Sequence, residues 1–449
     1  MAGLGAAEAL VRLGADVTVL EARPEPGGRV RTLRQPFSGT LHAEAGATFI
    51  SGHHRRVIEA ARRHGLTLVP FQGDDFLATY VGPDRTYAGD PSGPFEWPFE
   101  LSPDERAAGY YGLLYDLLSD PLDDLGDPLA ADWPPPRLLP LDRLSFGDFL
   151  RNRGASEGAI QVLRQGFIGT WGDGPDSVSA LFMLQAVAAH TSAFELFRIA
   201  DGNDRLPQAM AGALGDRIQY GAEVHRLAVT PGRARVLYTR GGTEQSLGAE
   251  AVVVALPPAS VRRIEFDPPL PPARHAAFEA VSSTPVVRTY LELSEAPWSP
   301  DHALGAWCPA AAPAGNLRHA TVGQPGPGVV VESFSAGPLA RQLGALSEGE
   351  RSRRLVEFLS GSYPRVPELV RSTATLAWHD EPHAWGAYAW PRPGDVATTF
   401  PLLRQPHGVA HFAGDHISSW NGWMEGALAS GYRAVTRIAS PPSTTVLSE

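Results

Sequence analysis

The sequence predicts an α/β protein in which a Rossmann-like domain is interleaved with a second, α+β domain. Three observations predict it. The first thirty residues read as helix, turn and buried strand, the second half of a βαβ unit. Two later apolar runs, Ala251 to Leu256 and Gly408 to Gly414, have the continuous Val, Ala and Phe content of strands covered on both faces. And at 449 residues the chain is about three times a typical domain length, enough for two cores.

Taken in order, Ala2 to Leu13 places Leu4, Ala7, Leu10 and Val11 at helical spacing, and Gly14-Ala15-Asp16 ends that helix before the strand Val17 to Leu20. Residues 121–140, rich in Pro, Asp and Leu, read as a long surface connection. Phe146 to Arg153, Glu157 to Phe167 and Ser177 to His190 read as helices, and Val286 to Leu293 as an alternating strand. Pro257-Pro258 stops the run that ends at Leu256, and a helix is expected from Gly422 to Ile438. No repeat of fixed period is present, which excludes solenoids and propellers.

Composition narrows the function. With 38 basic and 49 acidic residues the net charge is -11, a surface that repels phosphate backbones and anionic lipid, so no nucleic acid and no membrane partner is expected. Lysine is absent, and all the basic residues are arginine, a poor proton carrier near neutral pH. The one cysteine, Cys308, rules out an internal disulfide and fits a reducing compartment. No window has the apolar length of a membrane span, and a soluble, cytoplasmic protein is expected. The 14 histidines show no metal-ligand spacing, so metal is not expected; His53-His54 reads as a solvated turn.

The residues that carry chemistry begin at Gly3, the position at which a glycine lets the first helix pack close to its strand. Glu21 ends the strand, where a carboxylate can accept both hydroxyls of an adenosine ribose. Then comes Glu21-Ala22-Arg23-Pro24-Glu25-Pro26-Gly27-Gly28-Arg29, whose paired glycines let backbone approach a pyrophosphate and whose Arg29 can pair with its charge. Small residues follow in Ala43-Glu44-Ala45-Gly46-Ala47-Thr48-Phe49. On these strings the chain resembles the flavin-dependent amine oxidase family of the monoamine oxidase type, in the FAD/NAD(P)-binding Rossmann superfamily. The resemblance continues in His411-Phe412-Ala413-Gly414-Asp415 and in Trp420-Asn421-Gly422-Trp423-Met424-Glu425-Gly426, similar to the family's C-terminal flavin segment, and in Tyr220 to Val224, similar to its adenine clasp.

The resemblance implies an FAD-binding domain over 1–75, 205–285 and 396–449, and a substrate-binding domain over 76–204 and 286–395. It implies that Gly3, Glu21, Arg23, Gly28, Arg29, Gly46, Ala47, Thr48, Phe49, Val224, Gly414, Asp415, Gly422, Trp423 and Met424 hold FAD. Tyr388, in a pattern with Trp378, Pro382 and Gly386, and Trp423 would flank the substrate amine. Three departures matter. Ala387 stands where mitochondrial-type members attach flavin through cysteine, so FAD is expected to be non-covalent. Arg288 stands at the position of a lysine that reaches flavin N5 through water; it keeps the charge but cannot release a proton, unless it is a surface strand arginine. Phe49 stands where L-amino-acid oxidases carry a carboxylate-binding arginine, which favours an amine lacking an α-carboxylate unless an arginine from elsewhere compensates.

The expected activity is oxidation of an amine by hydride transfer to flavin, with O2 reduced to H2O2. A related flavin desaturase or C–C dehydrogenase, and a non-catalytic flavoprotein relic, are the alternatives, and a homodimer is left open. Phe167, Ile168, Trp171, Phe182 and Met183 fall in helices that would roof the substrate cavity, with core packing the simpler role. The opening strand of the βαβ unit and the first two glycines of its turn are not in the sequence. Deleting a central strand strands roughly five or more backbone pairs at about 1 kcal/mol or more each, and a start about ten residues upstream is expected in preference to decay because the remaining flavin motifs show no matching erosion.

Overall fold

The computed structural model describes residues 1–71, 79–81, 86–88, 97–130, 133–191, 195–298, 305–307, 313–326 and 328–440. Cys308 lies outside them. Helix Ala2–Arg12 turns Leu4 and Ala7 inward, onto Leu206 and Met210 of helix Arg205–Leu214 and Met424 and Leu428 of helix Met424–Ala439. The following strand, Val19–Glu21, starts two residues later than its apolar run and pairs in parallel with Ile218–Tyr220, Glu21 opposite Tyr220. Val252–Val254 pairs in parallel with Ala410–Phe412. Over this second pair lies a four-stranded sheet in the order Thr243–Ala249, Arg233–Arg240, Ala222–Thr230, Glu265–Asp267, and a core of Leu227, Val236, Val254, Phe278 and Phe412 seals the layers.

A larger, mostly antiparallel sheet of seven strands runs Val370–Ala377, Val286–Leu293, Val329–Ala336, Asn316–His319, Gly305–Trp307, Thr79–Val81, Thr86–Ala88. Strand Val286–Leu293 is buried at every position, not alternately, because helices Gly337–Gly344 and Glu348–Ser362 pack beside it while its polar residues find internal partners. Glu292, for one, accepts from Ser372 Oγ at 2.6 Å and Ser38 N at 3.2 Å.

A helical block completes the fold. Helices Pro103–Asp123, Phe146–Asn152 and Glu157–Gln165 begin at serines 102, 145 and 156, each accepting a backbone N–H of the first turn. Glu105 closes a capping box with Ser102 and also accepts from Ser156 N at 3.0 Å, tying two helix starts together. The surface connection expected over 121–140 is shorter than read: the first helix carries on through Pro121 to Asp123, and Pro136–Leu138 and Leu139–Asp142 are helical turns. With helix Ala180–Thr191, these elements bury Leu118, Phe146, Leu150, Leu163 and Leu181 in one core.

The crossing of helices Ala2–Arg12 and Met424–Ala439 needs a glycine: a Cβ at Gly431 would run into the Ala2 carbonyl oxygen. Gly431→Ala is expected to cost about 1–3 kcal/mol in urea unfolding. Gly212→Ala, on the exposed face of helix Arg205–Leu214 with nothing near the added carbon, should instead be neutral or stabilise by up to about 1 kcal/mol.

Two buried side chains give stability opposing pH dependences. Burial raises the Glu44 carboxyl from 4.5 to about 7, and lowers the His416 imidazole from 6.5 to about 4. Folded Glu44 keeps a proton that the unfolded chain has released, so its contribution is present below pH 4.5 and lost as pH rises to about 7. Folded His416 refuses a proton that the unfolded chain takes, so its contribution is present above pH 6.5 and lost as pH falls to about 4. Urea titrations between about pH 5 and 6.5 should show the slope of stability against pH become more positive in Glu44→Gln and less positive in His416→Gln, each by at most roughly 3 kcal/mol over its window.

Candidate active site

One cavity of about 1740 Å³ runs from the end of strand Val19–Glu21 to the seven-stranded sheet. The residues expected to serve a cofactor, Gly3, Glu21, Arg23, Gly28, Arg29, Gly46, Ala47, Thr48, Phe49, Val224, Gly414, Asp415, Gly422, Trp423 and Met424, all line it, as do Arg288 and Tyr388.

At its first end the backbone is drawn tight. Glu21 accepts from Arg23 N at 2.9 Å, and Arg23 donates to Gly28 O at 3.1 Å and Pro382 O at 2.7 Å. Gly27 and Gly28 sit at φ +115° and +61°, the left-handed region that side chains resist. The small-residue stretch is laid across this turn: Ala47 N donates to Arg29 O at 3.1 Å, Ala45 N to Arg31 O at 2.8 Å, and a Cβ at Gly46 would overlap the Arg29 carbonyl. Arg29 then reaches to the far end of the sequence. It pairs with Asp415 at 2.5 Å and donates to the Ala387 carbonyl. Asp415 is buried, which alone would raise its carboxyl, but Arg29 and then His416 hold it below the usual range. It also accepts from Gly422 N at 3.2 Å, which brings the start of helix Met424–Ala439 to the cavity wall.

Further along, the wall becomes aromatic. Tyr388 donates to Thr170 O at 2.5 Å, and burial pushes its hydroxyl up to about 12, so it stays protonated. The Trp171 ring lies 4.6 Å from it, tilted by 59°. Gly422, at φ +81°, leaves room there: a Cβ would lie 3.0 Å from Trp171 and 3.6 Å from Tyr388. Trp423 lines the same space with its ring 4.9 Å from that of His54. The solvated turn expected at His53-His54 is therefore half wrong. His53 is exposed, but His54 is fully buried with its ring 4.8 Å from Trp420, and its Nδ1 accepts from Ser51 N at 3.1 Å. Among the helical residues, Phe167, Ile168 and Trp171 face the cavity, whereas Phe182 backs Trp171 at 4.9 Å and Met183 is core.

Arg288 is a buried residue, not a surface strand arginine. It donates to Glu44 O at 2.7 Å and Thr48 Oγ1 at 2.9 Å and pairs with Glu332 at 3.1 Å. Burial works against its charge, but Glu332, Tyr290 and Tyr388 together outweigh burial and raise its pKa. Two residues that sequence reasoning did not single out complete this end. Phe71 meets the Phe49 ring edge-on at 4.9 Å, and the buried Arg318 guanidinium lies 5.3 Å over Phe49. Both line the cavity.

Residues 1–439 match the family described as flavin containing amine oxidoreductase. Relatives include the flavin-containing amine oxidase of Danio rerio, 27% identical over 98% of this chain and 84% of its own, and the L-amino acid oxidase Bs29 of Bothriechis schlegelii, 26% identical over 99% and 90%. Similar solved structures include a putrescine oxidase bound to putrescine, with a TM-score of 0.81 at 24% identity, covering 98% of this chain and 96% of that one. A cyclohexylamine oxidase from Brevibacterium oxydans IH-35A has a TM-score of 0.80 at 22% identity over the same shares. At those identities the likeness speaks for the fold, which is that of the amine oxidases, a Rossmann-like FAD-binding part interleaved with an α+β part. With the family match running along residues 1–439, the chain belongs to the flavin-containing amine oxidoreductases, enzymes whose oxidoreductase chemistry rests on a bound flavin.

Proposed function

We propose that the protein is an FAD-dependent amine oxidase that turns a primary amine into its imine, which water hydrolyses to a carbonyl compound and ammonia, with O2 reduced to H2O2. The observation that carries this reading is the meeting, in one cavity, of a dinucleotide-shaped groove and an aromatic slot. The residues fit FAD: a carboxylate at the strand end for ribose, a glycine turn with a guanidinium for pyrophosphate, and a small-residue floor that larger side chains would fill. Ala387, beside Tyr388, offers no thiol, in keeping with FAD held non-covalently.

When bound, FAD supplies the redox chemistry, accepting a hydride equivalent from the amine's α-carbon and passing electrons on to O2. The chain's own residues bind, orient and exclude water. In this reading Glu21, Arg23, Arg29, Val224 and Asp415 grip the nucleotide half, and Gly46, Ala47 and Thr48 form the floor. Tyr388 and Trp423, with Trp171 beside the tyrosine, present aromatic faces that dehydrate the amine and aim its α-carbon. Arg288 provides a fixed positive charge near Thr48 with no proton to give. The cofactor part corresponds to 1–75, 205–285 and 396–449 and the substrate part to 76–204 and 286–395. Among the described residues no helix is long and apolar enough to cross a membrane; the proposed cytoplasmic location rests on the cysteine content, which fits a reducing compartment.

The purified protein should absorb at about 450 nm, a band that belongs to the flavin ring, and release peroxide with amines. Tyr388→Ala and Trp423→Ala should keep that band and lose roughly 10- to 100-fold in kcat/KM for amines, the scale of misplacing a reacting group by about an ångström. A flavin-loaded wild type that turns over no amine would instead support a carbon–carbon dehydrogenase, which shares the cofactor groove but has no use for the slot. Arg29→Gln should retain FAD roughly 10- to 100-fold more weakly, as read by equilibrium dialysis, because a charge-assisted hydrogen bond is worth about 1.5–3 kcal/mol.

A further inference from the structure

The buried histidine of the His53-His54 pair has no role in the reaction proposed above, yet its ring lies against one wall of the slot. Residues 51–54 form a tight turn: His54 N donates to Ser51 O at 2.9 Å, and Ser51 N donates back to His54 Nδ1 at 3.1 Å. Both bonds are local, so the imidazole is fixed relative to its own backbone. It enters the gap between two indoles, Trp420 at 4.8 Å and 87° and Trp423 at 4.9 Å and 67°. Such steep angles let the positive edge of one ring meet the negative face of another. Trp423 lines the cavity and His54 does not, so the imidazole supports the indole from outside.

The backbones that carry these two rings are tied together as well. Each ring belongs to the residue at the head of a helix, His54 before Arg55–Arg63 and Trp423 before Met424–Ala439, and neither caps its helix with a side-chain hydrogen bond. Serine, threonine, aspartate or asparagine is the usual choice there, so two rings at two caps point to a task other than starting helices. The free N–H groups of helix Arg55–Arg63 are served instead by Glu425, two residues beyond Trp423. Its carboxylate accepts from Arg56 N and Val57 N, both at 3.0 Å, and pairs with the Arg56 guanidinium at 2.9 Å. One helix start is thereby fastened to the other, with the two rings between them.

From this arrangement we infer that His54 is a positioning residue for the oxidation: its ring holds the Trp423 indole in the orientation that the substrate amine requires, and it acts through Trp423. The inference rests on the reading of Tyr388 and Trp423 as the slot and adds what fixes one of its walls. Tyr388 is anchored at its tip by the hydrogen bond to Thr170 O. For Trp423 the anchor is a ring against a ring. A shift of about an ångström at the rim of the indole is on the scale that costs a positioned reaction tenfold or more.

The test uses the FAD-loaded full-length protein and two variants that separate the ring from its hydrogen bond. His54→Gln keeps an acceptor for Ser51 N and loses the ring; His54→Phe keeps a ring and loses the acceptor. Bleaching of the flavin band at about 450 nm without oxygen, by whichever of 2-phenylethylamine, butylamine, putrescine and L-phenylalanine the wild type oxidises fastest, reads the oxidation step. Equilibrium dialysis reads FAD retention. His54→Gln should bleach roughly tenfold more slowly with FAD retention unchanged, and His54→Phe should restore most of that rate. A histidine needed only for its turn would give the reverse order, with glutamine the milder change. In a Trp423→Ala background, adding His54→Gln should alter the remaining rate by less than about twofold, since a residue that acts through Trp423 has nothing left to hold. The reverse order, a parallel loss of FAD, or losses that multiply in the double variant overturns the inference and leaves His54 a core residue. If one variant does not fold, the rate of the other decides; failure of both to fold makes the role structural and overturns the inference too. A wild type that holds flavin but is bleached by none of the four compounds overturns the underlying amine-oxidising reading instead, and does so before any variant is made.

Discussion

The ion pair between Arg29 and Asp415, 386 positions apart, is the contact on which the site depends. Two segments that each lack a core of their own meet there. Arg29 sits on a glycine turn crossed by the small-residue stretch, and Asp415 sits at the mouth of the helix that begins at Met424. Both partners are largely out of water, with Asp415 at 7% exposure, so the pair persists only because further bonds satisfy it: the Ala387 carbonyl on the arginine and the Gly422 N–H on the carboxylate. Those bonds reach the neighbours of Tyr388 and Trp423. This one pair thereby joins the glycine turn to the segments that carry Tyr388 and Trp423.

A second polar cluster does comparable work in the large sheet. Register places Arg318 opposite Glu332 and Phe334 opposite Arg288, so two guanidiniums, one carboxylate and an aromatic ring gather on adjacent strands. Replacing such a cluster by apolar residues is often neutral or stabilising, so its presence in a well-packed sheet is a sign of a task other than stability. Arg288 holds the Glu44 carbonyl, Thr48 and Glu332. It and Arg318 both line the cavity.

How far the sequence could be read divides along the same line. Glycine turns, a strand-end acid and a helix start announce themselves locally, since each depends on backbone conformations a few residues long, and Gly28, Glu21 and Asp415 all line the cavity. The helix starts at Phe146 and Glu157 were readable from periodicity. What could not be read depends on register between distant strands. Nothing near Arg318 distinguishes it from a solvent-facing strand arginine until Asn316–His319 is aligned on Val329–Ala336. His54 looked like half of a polar turn because the two tryptophans that enclose it lie more than 360 residues away. The alternation expected along Val286–Leu293 failed for a related reason: the pattern of side chains shows polarity, and only the tertiary partners show that both faces are covered.

These two clusters also explain why the aromatic slot and the charged wall can coexist. An aromatic pocket that strips water from an amine favours the neutral form, because desolvation disfavours the ammonium. A guanidinium nearby pushes in the same direction, since a positive charge lowers the affinity of the site for a second one. Arginine suits this better than lysine would. Its charge is not lost on burial at neutral pH, and its plane can lie against aromatic rings, as that of Arg318 does against Phe49 and Phe334. In a chain without lysine, selection by permanent charge and fixed planes replaces selection by groups that titrate.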